Sequence, residues 1–349
     1  MIEMKDVFKA AIGGRASDVI LTAGSPPVFR INGELVPGQT PPLSVEEVGA
    51  IVTGLLRPEQ RERLERQREL DFSLCTDGVH RFRGNAFWQR GALAAAFRLI
   101  PDRVPSLKDL GLPAVVEEFA LAAMGLVLLS GPTGHGKSTS LAAMLNLINE
   151  RKRVHIVTIE DPIEFVHANR KSVIEQREVG DDTLSFANAL RAVLRQAPDV
   201  ILVGEMRDPE SIAAAITAAE TGHLVFATVH TNDSVQAIDR LIDVFPSHQQ
   251  NQVRAQLSMS LLAVISQRLI RKTDGRGRVA AVEVLRNVAA VANLVREGKT
   301  HQIYTILETH ARDGMCTLDA SLKDLYLTGQ VSLEEARRRM RNPASLEKL

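Results

Sequence analysis

The residues best placed to do chemistry lie in GPTGHGKST, Gly131 to Thr139, which follows the apolar run GLVLLS and precedes a helical pattern. Gly131, Gly136, Lys137 and Ser138 satisfy G-x-x-x-x-G-K-[ST]. This spacing suits phosphate binding. Glycines let backbone N–H groups curl around phosphate oxygens, the following helix presents its positive end, the lysine reaches the β and γ phosphates, and the serine hydroxyl ligates Mg²⁺. The expected nucleotide-binding set is Gly131, Pro132, Thr133, Gly134, His135, Gly136, Lys137, Ser138 and Thr139.

A loop that grips a triphosphate does not by itself hydrolyse it, because a water must be aimed and the metal's other positions filled. Carboxylates are therefore wanted at neighbouring strand ends. VTIEDPIEF offers Glu160, Asp161 and Glu164, and VILVGEMRD offers Glu205 just past an apolar strand. Pro162 disfavours helix at Asp161 and holds the acidic segment extended or turned. The plainer alternative is that these acids cap helices. For Glu205 that alternative is weak, because Asp208-Pro209 already supplies an N-cap and N1 pair. Glu164 and Glu205 are thus expected in catalysis, Ser138, Glu205 and Glu160 at the metal, and Asp161 stays open between chemistry and capping.

ETGHLVFATVHTND carries His223 and His230 at the two ends of an apolar run. If the run is the next parallel strand, His230 shares the rim of the phosphate loop and Glu205, where it would sense the γ-phosphate. His223 then lies about 20 Å away along a regular strand. It is expected among the nucleotide-binding residues if a bend or a neighbouring subunit returns it to the site, and otherwise serves packing.

These groups need an alternating scaffold to position them. Apolar strands GLVLLSG, RVHIVTIE, DVILVGE and HLVFATVH alternate with helical patterns, implying a mostly parallel sheet with helices on both faces. Ligands of such sheets bind at the carboxyl ends of the strands. From about Leu257 the chain reads as helical apart from GRVAAVEVL. Residues 1–100 read as a small α+β domain with a hairpin signal at Asn32-Gly33, and residues 101–112, rich in proline, as a linker or hinge before a domain over 113–349. The charged stretch RPEQRERLERQREL reads as a solvated helix face.

Composition narrows the class. With 349 residues, 45% hydrophobic and 24% charged, the chain has ordinary globular character and room for two domains. Lys plus Arg equals Asp plus Glu at 42 each, which gives no global pull toward nucleic acid. Cys75 and Cys316 are too few for a disulfide framework or a four-ligand zinc site, as a reducing cytoplasm would favour. The longest apolar run, Phe119 to Leu129, falls short of the roughly 20 residues that span a bilayer.

Together, GPTGHGKST, the acidic box IEDPIEF, ILVGEMRD and the histidine box TGHLVFATVHTND resemble the type II/IV secretion ATPase superfamily, and within it the type IV pilus retraction motors. HRFRGNAF, LRQAPDVILVGE, AIDRLIDVFP and NLVREGKTHQI extend the resemblance over nearly the whole chain. It implies an α/β protein: a PAS-like α+β N-terminal domain followed by a RecA-like P-loop ATPase domain with a helical C-terminal part. It also implies ATP and Mg²⁺ as ligands and a cytoplasmic homo-hexamer, peripheral to the inner membrane through a platform protein of the pilus machine. Nucleic acid is not among the implied partners, and a paralogous retraction ATPase is carried as a further one.

In that family Glu164 matches the candidate general base, Glu205 the residue that helps place Mg²⁺ and water, and Arg81 and Arg83 the N-terminal arginines that close on nucleotide. The two-residue offset puts both arginines on one strand face with Phe82 on the other. His135 stands where relatives usually have serine or threonine. LRQAPD, GKSTSLAAM and QREVG resemble the accessory branch, so principal and accessory retraction motors both stay open. The rivals are an extension or type II secretion ATPase, a non-catalytic ring partner and a nucleic-acid motor.

Overall fold

The computed structural model describes all residues except Met1, Asn32, residues 77–79, Asp102 and residues 347–349, and it leaves the side chain of Ser345 aside. The described residues form two compact units, Met1–Arg103 and Val104–Leu349.

In the first unit the strands are β1 (Asp18–Leu21), β2 (Val28–Ile31), β3 (Glu34–Pro37), β4 (Glu69–Thr76), β5 (His80–Gln89) and β6 (Ala92–Leu99). They make an antiparallel sheet in the order β3-β2-β1-β6-β5-β4. Helices Met4–Gly13 and Val45–Leu55 place Phe8, Val48 and Val52 in the same core as Val19, Phe82 and Phe97. The rings of Phe8 and Phe82 stack with centroids 4.2 Å apart. This is the α+β architecture expected of a PAS-like domain. β2 and β3 pair as a hairpin with Gly33 at φ 91°, while Asn32, the other half of the turn signal, lies outside the described residues. The charged stretch forms the helix Pro58–Gln67 and buries only Leu64.

The strands of the second unit are β7 (Gly125–Ser130), β8 (His155–Glu160), β9 (Val173–Glu178), β10 (Val200–Val203), β11 (Leu224–Val229), β12 (Leu261–Arg271) and β13 (Arg278–Arg286). Their order is β13-β12-β7-β11-β10-β8-β9, parallel except for the antiparallel β12–β13 pair. Period-two alternation splits the core between the faces: Leu126, Leu128, Val225 and Ala227 belong to one cluster, Val127, Leu129, Leu224 and Phe226 to the other. This is the doubly covered parallel sheet of a RecA-like domain. Helix starts follow the local code, with Asp208 accepting from Ser211 N–H and Asp233 from Gln236 N–H.

Two elements depart from the expectation. The helix Ser247–Ser260 ends at the segment read as continuing helical, and Leu261–Arg271 is instead β12. Pairing with β7 on one side and β13 on the other decides it, since neither partner is visible in the local pattern. β9 had no expected counterpart, because an edge strand with Ile174 buried and Glu175 exposed need not be continuously apolar. Of the residues read as a linker, those from Val104 onward belong to the second unit, where Leu107 is buried with Val115 and Phe119.

Candidate nucleotide site

The loop leaves β7 at Ser130, and Gly131, Gly134 and Gly136 adopt φ values of 141°, 76° and 82°, which glycine alone takes without strain. A Cβ on Gly131 would lie 2.3 Å from the carbonyl oxygen of Gln267, so the loop backbone runs directly against β12. Lys137 begins the helix Lys137–Arg151 and turns its buried side chain back into the loop. Its Nζ donates to the carbonyls of Gly131 at 2.8 Å and Pro132 at 3.0 Å. Burial lowers the Lys137 pKa, and the charges of Glu205 and Glu164 work against that shift.

The far side of the loop is bonded to β12 and β13. Gln267 donates from Nε2 to the His135 carbonyl at 2.9 Å and accepts at Oε1 from Ser140 at 2.7 Å. Leu269 N–H donates to His135 Nδ1 at 3.0 Å, and Arg278 donates to the Gly134 carbonyl at 3.3 Å.

The rim beside the loop is assembled from three strand ends. Glu205 follows β10 by two residues, and the connecting Gly204 is fixed by its N–H to Ile159 O at 2.7 Å and by Thr228 Oγ1 to its carbonyl at 2.5 Å. Arg207 grips both Glu205 oxygens, at 2.5 and 2.6 Å. His230, just past β11, has Nε2 3.3 Å from Glu205 Oε1 and Nδ1 3.4 Å from both Lys137 Nζ and Thr133 Oγ1. Burial pushes the Glu205 pKa up, but Arg207 and His230 together outweigh it and hold the carboxyl below its ordinary value.

The acidic box after β8 is held by β9. Glu160 is half-buried and accepts from Thr158 Oγ1 at 2.7 Å and Gln176 Nε2 at 3.1 Å; burial raises its pKa against those bonds. Ile163 N–H donates to Glu178 at 3.2 Å, which leaves Asp161 and Glu164 exposed beyond the strand.

A profile of the type II/IV secretion system protein family matches residues 108–317 of this chain. Type IV pilus retractation ATPase PilT of Pseudomonas aeruginosa is 49% identical over 328 residues, 94% of this chain and 95% of that protein. Type IV pilus ATPase PilU of the same organism is 40% identical over 335 residues, 96% of this chain and 88% of that protein. The chain belongs to the type II/IV secretion system protein family. The crystal structure of the pilus retraction motor PilT with bound ADP superimposes with a TM-score of 0.93 at 46% identity, covering 100% of both chains.

Within this secretion-family fold, the loop residues, Glu205 and His230 meet on one rim, and Glu164 contributes charge there. His223 is not brought to that rim. It precedes β11 at the opposite end from His230, its carbonyl accepts the N–H of Gly125 at the start of β7, and its Nδ1 lies 2.9 Å from the Ala218 carbonyl. The regularity of β11, with all six residues buried, allows no bend to carry it back. Arg81 and Arg83 lie on β5 of the first unit, on the face opposite the buried Phe82, with Arg81 donating to Ser73 at 3.1 Å and Arg83 3.9 Å from Asp71.

Gln267 and Leu269 are not visible from the local pattern, because their segment reads as helix, and Arg207 shows only as a basic residue two positions from Glu205. Equally invisible there is a 340 Å³ cavity beside the loop, lined by Lys108, Leu110, Thr139, Leu269 and Arg278, with a size and partly apolar wall that suit a base and ribose. No group of three or more His, Cys, Asp or Glu side chains among the described residues is arranged to hold a metal. Mg²⁺ bound through one or two carboxylates, a hydroxyl and phosphate oxygens does not require one, and the hard oxygens of Ser138, Glu205 and Glu160 fit it. No helix among the described residues is long and apolar enough to cross a membrane.

Proposed function

We propose that this chain is the ATPase of a type IV pilus retraction motor, working as a homo-hexameric ring on the cytoplasmic side of the inner membrane. ATP hydrolysis is the reaction that the loop, its lysine and the rim carboxylates support. The observation that carries the reading is the His230 bridge, which joins the phosphate-binding Lys137 to Glu205 on a single rim. The retraction role rests on near full-length likeness to a relative named a pilus retractation ATPase.

In this mechanism the loop's N–H groups and Lys137 bind the β and γ phosphates, and Thr133 and His230 stand beside the lysine. Glu205 and Glu164 orient a water toward the γ-phosphate, one as a positioning group and one as general base. Ser138, Glu205 and Glu160 would hold Mg²⁺, which would neutralise charge on the phosphates. Arg81 and Arg83 add positive charge from the N-terminal domain when the chain hinges just before Val104, where the second unit begins, and loss of the γ-phosphate releases them. That motion turns a membrane platform protein and draws pilin from the filament, alone or with a paralogous ATPase.

Two measurements test the reading. Phosphate release by the purified chain must depend on ATP and vanish in Glu205→Gln. Deletion of the gene must leave fluorescent pili that extend but do not shorten; absent pili would assign the chain to assembly instead. Retraction restored by this chain in a strain lacking any paralogue marks it as the principal motor, and dependence on the paralogue marks it as accessory.

A further inference from the structure

The phosphate loop is held from behind by the part of β12 that outruns its neighbour. β7 ends at Ser130, opposite Ser266, whereas β12 continues to Arg271. Alternate residues of a strand turn their backbone groups to the same edge, so Gln267 and Leu269 both face the loop. Gln267 directs its carbonyl at Gly131. Leu269 presents an N–H that has no β7 residue to meet, and a strand edge left in this way carries an unmet donor. The His135 imidazole accepts it at Nδ1.

His135 is therefore pinned twice, by its ring and by its carbonyl, which accepts from Gln267 Nε2. The Gly134 carbonyl is drawn the same way by Arg278. In a trans peptide the N–H points opposite to the C=O. Holding the carbonyls of Gly134 and His135 toward β12 and β13 thus turns the N–H groups of His135 and Gly136 away from those strands, toward the loop interior where phosphate oxygens would lie.

We propose that His135 is a positioning residue whose imidazole, by accepting the Leu269 N–H, fixes the loop amides in the orientation that receives the nucleotide's phosphates. The proposal rests on the nucleotide-binding reading of the loop. Because Nδ1 accepts, the ring proton sits on Nε2. A second proton would convert the acceptor into a donor facing another donor, so the latch opens in weak acid. The charged groups around the ring are Arg278 of β13, Arg268 of β12, Lys137 of the loop helix and Arg339 of the helix Leu333–Arg339. Burial, and then these four positive charges, hold the imidazole below its ordinary pKa and keep it an acceptor at neutral pH.

The test uses the full chain, titrated with a fluorescent ATP analogue and assayed for steady-state hydrolysis. His135→Ala leaves the Leu269 N–H unmet and is expected to raise both the dissociation constant and KM about tenfold with kcat changed less than twofold. His135→Asn, whose Oδ1 stands close to the position of Nδ1 and does not titrate, is expected to recover most of that affinity. Between pH 8 and pH 5.5 the original chain should lose more affinity than His135→Asn, since both keep His230 and Glu205. Tight binding by His135→Ala, an Asn variant no better than Ala, or equal pH slopes would each overturn the proposal. Should circular dichroism find His135→Ala unfolded, the pH comparison with His135→Asn decides alone. If the original chain fails to bind the analogue, the nucleotide reading falls; if it binds and His135→Ala binds equally, only the latch falls.

Discussion

His230 Nε2 lies 3.3 Å from Glu205 Oε1, with the other imidazole nitrogen turned to the loop lysine. The imidazole thus touches the carboxylate with one nitrogen and stands beside the lysine with the other, so the three side chains form one continuous chain of contacts. Glu205→Gln is expected to lower kcat on the order of 10²–10⁴-fold, the range of a lost acid–base or water-aligning group. Residues acting as a unit are non-additive. A Glu205→Gln, His230→Leu double variant should thus be little slower than Glu205→Gln alone. Multiplying losses in the double-mutant cycle would mean that the two side chains work independently.

Arg81 and Arg83 share a strand face, and neither is part of the first unit's apolar core. If they stabilise charge on the transferring phosphoryl group, replacing both by alanine should cost on the order of 10³-fold in kcat, with a smaller change in nucleotide affinity. The melting temperature controls for folding. A loss under tenfold in a well-folded variant would return these arginines to a structural role on the β5 ladder.

Gly131 combines φ 141° with a carbonyl oxygen 2.3 Å from where a Cβ would sit. Gly131→Ala must displace either the loop or β12, at a cost of about 3 kcal/mol. Urea unfolding should report that loss, and ATP affinity should fall with it. Gly134 has a positive φ but open space around its Cβ position, so Gly134→Ala should be the milder change.

Burial pushes the His167 imidazole down from 6.5 to about 4, and its buried Nδ1 has no hydrogen-bond partner among the described residues. The unfolded chain therefore takes up this proton more readily than the folded one. The group's contribution is complete above about pH 6.5 and is lost as pH falls toward 4, by about 2 kcal/mol at pH 5. Unfolding free energies at pH 7 and pH 5 should accordingly differ less in His167→Leu than in the original chain. Equal differences would place the acid sensitivity elsewhere.

Much of the site was legible because it is local. The GPTGHGKST spacing, the Asp208-Pro209 cap and the apolar β10 and β11 each depend on residues within a few positions, and backbone geometry follows directly from them. The likeness of whole motifs to a secretion family added the expected roles of Glu164 and Glu205 and the choice of Arg81 and Arg83. By contrast, the β12 segment reads as helix and β9 carries no clear strand pattern, because their strand character comes from partners far away in the chain.

The sequence by itself determined the glycine-lined loop with its lysine and which strand ends carry acids and imidazoles, since loop torsions, caps and side-chain alternation are short-range properties. Only the tertiary structure decided that His230 joins Lys137 to Glu205 while His223 stays at the opposite end of β11, and that Gln267 and Leu269 hold the loop from behind. Those contacts join residues roughly 25 to more than 130 positions apart in the chain. They form only when packing of the buried strands fixes the sheet order, which no short stretch of sequence encodes.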